Sequence, residues 1–279
     1  MKYIDAHAHL VHGHRGFHEL VDSGEFDEIW LMDLDGMVIN GIQLAATGEV
    51  LQAMKDHPQV VYGFAHLDFD KEVDQIDRFR DMGFTGLKPY KPKTNWNDQR
   101  YYPFYERAEK EGMPILFHTG IVAKTGGVNR RENPEYGFGA EGMRPSYLSG
   151  IAEAFPDLQI IGGHLGYPWF EETALNLYYY PNIVHDISGY RHPEFLEKFF
   201  KSLDRMTHDG TQRRFHEKVF FATDQFYGIE EQNRNALKFK QFWTLFHELV
   251  FQVYTPWGAP AEMEKFFYGN AHNWRMNLK

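Results

Sequence analysis

The sequence predicts a single-domain α/β protein folded as a (β/α)8 TIM barrel, and three observations carry that expectation. Eight short apolar, β-rich runs alternate with amphipathic helical stretches, the pattern of a parallel sheet built from strand–helix units. The 279 residues come close to the length at which such a barrel closes without a second domain. Residues able to ligate a metal or move a proton stand at the C-terminal ends of the runs, where a barrel places its reactive groups. A doubly wound open sheet is the alternative architecture.

The runs cover residues 3–9, 28–34, 60–67, 84–90, 114–119, 158–165, 183–188 and 219–224. The first contains Asp5-Ala6-His7-Ala8-His9. Alternate side chains of a strand leave by one face, so His7 and His9 point the same way from a rigid backbone. Neutral imidazole binds Zn²⁺ and its neighbours in the transition series, and a catalytic metal takes three or more protein ligands plus an open position. Alone, the pair fits an exposed strand as well as half of a metal site. The other strand ends weigh against coincidence: His66 near the end of the third run, Lys88 of the fourth, His118 of the fifth, His164 of the sixth and Asp224 of the eighth.

Between the runs, Val73, Ile76, Phe79 and Met82 keep a helical period that Gly83 ends, and Tyr105, Ala108 and Glu111 do so before Gly112. Residues 10–26, with His12, His14, Arg15 and His18, and residues 120–144, with Lys124, Arg130, Arg131 and Arg144, read as long connections that could rim the barrel mouth. Residues 204–217 read as a charged loop without a chemical signature. Residues 230–253 read as a long helix and 261–267 as a short one. The stripe Phe239, Phe242, Leu245, Phe246, Leu249 and Val250 fits either packing on the barrel or a homo-oligomeric interface.

Composition narrows the chemistry. No cysteine is present, which excludes thiolate ligands and leaves His, carboxylate or a modified Lys to hold a metal. A formal charge of −10, from 39 acidic against 29 basic residues, disfavours a nucleic-acid partner and suits a small-molecule substrate. No signal-like or membrane-spanning apolar run is present, so a soluble, cytoplasmic protein is expected.

Taken together, Asp5-Ala6-His7-Ala8-His9, Thr85-Gly86-Leu87-Lys88-Pro89, Phe117-His118-Thr119-Gly120, Arg144-Pro145-Ser146-Tyr147-Leu148, Gly163-His164-Leu165-Gly166, Asp186-Ile187-Ser188-Gly189, Ala222-Thr223-Asp224 and Tyr268-Gly269-Asn270-Ala271 resemble the amidohydrolase superfamily. The resemblance is to its amidohydrolase-related branch, which includes aminocarboxymuconate-semialdehyde decarboxylase and related decarboxylases, hydratases and hydrolases. It implies a (β/α)8 barrel whose divalent metal, zinc or alternatively manganese, is bound by His7, His9, His118 and Asp224. His164, with Asp224, would serve as acid and base. The family's binuclear members carboxylate a Lys at the position of Lys88; one metal with an unmodified Lys88 is the preferred expectation here.

Such a metal lowers the pKa of bound water from about 15.7 to roughly 7, which suits hydrolysis of an amide, lactone or ester. The alternative is non-oxidative decarboxylation or hydration of an unsaturated or aromatic acid, which needs a cation beside the carboxylate. Arg144 is the first candidate for that cation, then Lys88, Arg130 and Arg131. Lys88 could instead pair with Asp33 or Asp35. Asp5 is expected to orient an imidazole or to satisfy backbone donors, and His66 and His185 to lie behind the ligands or in packing. Two further classes compete: a barrel nuclease, whose fourth-strand ligand would be Glu where this chain has Lys88, and a catalytically silent metal-binding barrel.

Overall fold

The structure, a computed structural model, describes residues 1–121, 139–189, 215–251 and 260–277. Its strands are β1 (Ile4–Leu10), β2 (Glu28–Met32), β3 (Val38–Ile39), β4 (Ile42–Gln43), β5 (Val61–His66), β6 (Gly86–Lys88), β7 (Ile115–Phe117), β8 (Ile160–Gly162), β9 (Ile183–Asp186), β10 (Val219–Phe220) and β11 (Phe226–Tyr227). The main sheet runs β10-β9-β8-β7-β6-β5-β2-β1-β11, with every neighbouring pair parallel. Backbone hydrogen bonds from Ala6 N to Phe221 O at 3.2 Å and from Asp224 N to His7 O at 2.7 Å join the last strand to the first and close the ring. The barrel expected from the sequence is therefore the observed fold, each of the eight apolar runs supplying one of its staves.

Two departures matter for function. The eighth run was expected to be one strand, 219–224, but its regular pairing stops at Phe220 and resumes at Phe226. Asp224 between them adopts a left-handed φ of 56°, a conformation that costs a non-glycine residue energy and often marks a working position. On β1, Asp5 pairs with Ile29 but Ala8 with Leu31, so one extra residue bulges from the strand. Ahead of the bulge Ile4 and Ala6 point into the barrel interior; beyond it Ala8 and Leu10 pack on the helix layer, which turns His7 and His9 inward.

Helices α1 (Phe17–Asp22), α2 (Thr47–Asp56), α3 (Gln75–Asp81), α4 (Tyr102–Lys110), α5 (Ser146–Ala154), α6 (Phe170–Tyr179) and α7 (Glu230–Phe246) cover the outside. Residues 10–26, read as a loop, thus contain a short helix, because Phe17, Leu20 and Val21 bury one face of it. The long helix ends its α-helical part at Phe246 and continues as a π-turn, His247–Phe251; residues 252 and 253 of its expected span lie outside the described residues. Its inward face is Ala236, Phe239 and Trp243, with Phe242 and Phe246 half-buried against the core, while Leu245 and Leu249 of the expected stripe face outward, at 45% and 67% exposure. Lys124, Arg130, Arg131 and most of the charged segment 204–217 also lie outside the described residues.

Two apolar layers hold the barrel. The interior is filled by Ile4, Ala6, Trp30, Met32, Phe64, Leu116, Ile161, Val184, Phe220 and Ala222, each fully buried branched or aromatic side chain stabilising by about 1.5–3 kcal/mol. Trp30 stacks on Phe64 at 5.6 Å and meets Trp274 at 6.2 Å, so the N-terminal end is plugged and the C-terminal end is left for polar groups. The strand–helix layer demands small residues where rings press on backbone. A Cβ on Gly162 would sit 2.1 Å from Cε1 of the buried His185, which accounts for Gly at that point of β8.

Candidate active site

His7 and His9 end β1 and Asp224 follows β10, and the three converge. His7 Nε2 lies 3.5 Å and His9 Nε2 3.2 Å from the same oxygen, Oδ1 of Asp224. Both rings have their other nitrogen engaged: His7 Nδ1 with Asp186 Oδ2 at 2.9 Å and His9 Nδ1 with the Met32 carbonyl at 2.9 Å. Carboxylate and carbonyl oxygens only accept, so each Nδ1 carries the proton and each Nε2 presents a lone pair. Three lone-pair atoms thus face one another in a buried corner, an arrangement that repels itself until a cation stands among them. Ligand atoms of these three residues lie within 4.8 Å of one another, so the donor set fits a divalent ion.

The electrostatics agree. Burial, with the nearby Lys88 charge, pushes His7 down to about 4, which keeps it neutral and able to ligate at neutral pH. Burial would raise the Asp224 carboxyl, but the imidazoles of His9, His164 and His7 around it hold it well below the usual carboxylate range. Asp186 is likewise held low, against its burial, by His7, His164 and Ser188.

Asp186, matched within a motif but given no role from the sequence, is the residue whose function reading the sequence missed. Its carboxylate accepts from His7, from the backbone N–H groups of His164 and Ser188 at 3.0 Å each, and from the Ser188 hydroxyl at 2.5 Å. The available signal was its position at the end of the seventh run, shared with the ligand-type residues of the other strands.

His164 lies beside His7, ring centroids 5.1 Å apart. Its Nε2 meets His118 Nδ1 at 3.1 Å and its Nδ1 meets the Ser188 hydroxyl at 2.8 Å and carbonyl at 3.3 Å. His118 Nε2 donates to the Ile121 carbonyl at 3.1 Å, and burial pushes this imidazole well below its ordinary value. His118 is therefore neutral with its proton on Nε2, and its Nδ1 accepts from His164. Among the described residues, His118 is not part of the His7–His9–Asp224 group; it reaches that group through His164.

Lys88, at the end of β6, is 1% exposed, and its Nζ has no hydrogen-bond partner among the described residues. Burial brings it down to about 8, while Asp186 and Asp224 pull the other way. The expected pairing with Asp33 or Asp35 is corrected: both carboxylates accept from the Thr47 hydroxyl instead, at 2.7 and 3.0 Å. Arg144 is bonded to Glu172 and lies over Trp169 at 5.2 Å. His66 closes β5, lowered by burial and facing the charges of Asp68 and Asp35. His185 packs behind Gly162. Asp5 serves backbone and hydroxyl donors, not an imidazole: it accepts from Thr223 N at 2.8 Å, Thr223 Oγ1 at 2.6 Å, Tyr227 OH and His7 N at 3.3 Å. It therefore ties both ligand-bearing segments together.

The comparisons with known proteins bear on the fold and the family. No curated protein sequence matches the chain. Among solved structures, an uncharacterized TIM-barrel protein from Bordetella bronchiseptica superposes with a TM-score of 0.63 at 16% identity, covering 98% of each chain. A probable 2-pyrone-4,6-dicarboxylic acid hydrolase from Acinetobacter baumannii, with citric acid bound, gives 0.62 at 14% identity over 99% of this chain and 100% of its own. A 5-carboxyvanillate decarboxylase from Novosphingobium aromaticivorans, holding manganese and 3-methoxy-4-hydroxy-5-nitrobenzoic acid, gives 0.55 at 14% identity over 93% and 80%. The family model described as amidohydrolase matches residues 4–274, nearly the whole chain, and the protein belongs to that family.

Proposed function

We propose that the protein is a metal-dependent hydrolase of a small amide, lactone or ester, with its ion held at the C-terminal mouth of the barrel by His7, His9 and Asp224. The observation that carries this reading is the convergence of two unprotonated Nε2 atoms on one carboxylate oxygen. Zinc suits the imidazole–carboxylate set, with manganese the alternative. One ion is preferred over two, because the second His–carboxylate group, His7, His164 and Asp186, already spends His7 Nδ1 on Asp186 and acts as a hydrogen-bond relay.

A divalent ion there would supply a Lewis acid for the substrate carbonyl and a water of lowered pKa. Asp224, held ionised and about a third exposed, offers its second oxygen to take a proton from the attacking water. His164, whose Nε2 proton is held towards His118, would turn that proton to the leaving group and regain one from Asp224. Lys88, on which the Asp186 and Asp224 charges act, would supply a positive charge for an anionic part of the substrate.

A second reading, non-oxidative decarboxylation, is favoured by that same buried and unpartnered ammonium, since a carboxylate to be lost as CO₂ must first be held. The metal-reconstituted protein, assayed on a panel of lactones, esters and aromatic acids with acid release and CO₂ followed separately, tells the two apart. Acid release abolished in Asp224→Asn supports hydrolysis; CO₂ release without acid release supports the second reading; neither, in a protein that holds its ion, contradicts both. The exposed Leu245 and Leu249 fit a homo-oligomeric contact, which size-exclusion chromatography checks. Among the described residues no helix is long and apolar enough to cross a membrane.

A further inference from the structure

Two hydrogen-bond donors near Asp224 have no partner among the described residues, and both follow from one segment: Nζ of Lys88 and the hydroxyl of Tyr90, each shut off from solvent. Leu87 packs in the strand–helix layer, so Lys88 and, two residues on, Tyr90 leave by the opposite, interior face, and Tyr90 shares its small apolar cluster with Phe226, two residues beyond Asp224. The Tyr90 ring packs on the Leu34, Ile39 and Leu44 cluster beside Met37, Ile42 and Phe226, and Phe226 meets the His9 ring edge-on at 5.5 Å. This packing fixes the ring, so the hydroxyl cannot swing to water without surrendering apolar contact. Enclosed polar groups in native proteins nearly always have partners, and one without a partner calls for an explanation.

We propose that the Lys88 ammonium and the Tyr90 hydroxyl form a two-donor receptor for one carboxylate of the substrate, Tyr90 being the specificity-determining member. The inference deepens the metal-dependent reading above and rests on it. Lys88 supplies charge without much direction; the phenol supplies a directed O–H that an ester or amide carbonyl exploits less than a carboxylate does. Burial and the Asp224 charge push the Tyr90 hydroxyl up to about 12, so it serves as donor throughout the neutral range.

The test uses the acid seen in the decarboxylase structure, 3-methoxy-4-hydroxy-5-nitrobenzoic acid, and its methyl ester as probes. Wild-type, Tyr90→Phe and Lys88→Met proteins are loaded with Mn²⁺, their bound metal is counted, their melting temperatures are compared, and probe binding is followed by titration calorimetry. Tyr90→Phe is expected to keep wild-type metal content and melting temperature, to lose roughly 10-fold in affinity for the acid, and to bind the ester as wild type does. Lys88→Met is expected to lose more for the acid. Unchanged acid affinity in Tyr90→Phe, equal losses for acid and ester, or no saturable acid binding by the metal-loaded wild type each overturns the receptor while the metal site stands. A wild-type protein that takes up no metal overturns the underlying reading, and the receptor with it.

Discussion

Replacing Asp186 by Asn probes the orientation of the metal-ligating His7 directly. The change keeps size and shape, and the Asn oxygen can still accept from the His164 and Ser188 backbone N–H groups, now at 3.0 Å each. The amide nitrogen then occupies the place of Oδ2, which lies 2.9 Å from His7 Nδ1. Two donors cannot face each other, so His7 must shift its proton to Nε2, the atom that should carry a lone pair to the ion. Flipping the amide relieves His7 only by setting its N–H₂ against two backbone donors. The lost charge-assisted hydrogen bond is worth about 1.5–3 kcal/mol, or roughly 10- to 100-fold in metal affinity, the range found when such ligand-orienting partners are removed. Competition against a chromophoric chelator at neutral pH measures it, with circular dichroism confirming the fold. An affinity within about 3-fold of wild type would refute the claim that Asp186 sets the His7 tautomer.

Three stability changes follow from other parts of the fold. Glu28 accepts from Arg275 at 2.8 and 3.1 Å and pairs with His272 at 2.8 Å, fastening the C-terminal helix Asn270–Met276 to the barrel floor; Glu28→Gln should cost about 2–4 kcal/mol in denaturant unfolding at neutral pH. Burial would raise Glu28, but Arg275 and His272 hold it below its ordinary value, so its contribution is present above the unfolded pKa and disappears as pH falls through the folded one; a variant–wild-type difference that persists in strong acid would contradict this. Asp5 has the opposite sign: burial raises it to about 6 despite four hydrogen bonds, so its share of stability is full in acid and lost as pH rises through about 6, and Asp5→Asn should flatten that part of the stability–pH curve. Gly162→Ala drives a methyl to 2.1 Å from the His185 ring and should cost at least about 1–3 kcal/mol, so a change under about 0.5 kcal/mol would show that His185 has room to move.

The strands were legible because each is an apolar, β-rich run, and the positions of His7, His9, His118, His164 and Asp224 were legible because a barrel collects reactive residues at strand ends. What escaped depends on register and on distance along the chain. Hydropathy carries no sign of the extra residue in β1, nor of the break at 221–225 that lets Asp224 turn left-handed. The role of Asp186 lies in a partner 179 positions away, and Arg144, matched by motif, is bound by Glu172 of α6. Trp243 was overlooked within a stripe defined by phenylalanines and leucines, although it is the ring of that helix most deeply buried.

The central claim is that His7, His9 and Asp224 share one cation, and anomalous diffraction from crystals grown with zinc or manganese tests it most directly. The expected result is a single peak at about 2.0–2.2 Å from His7 Nε2, His9 Nε2 and an Asp224 oxygen, with Lys88 unmodified. A site that stays empty at saturating metal, or an ion bound away from those two Nε2 atoms, would contradict it.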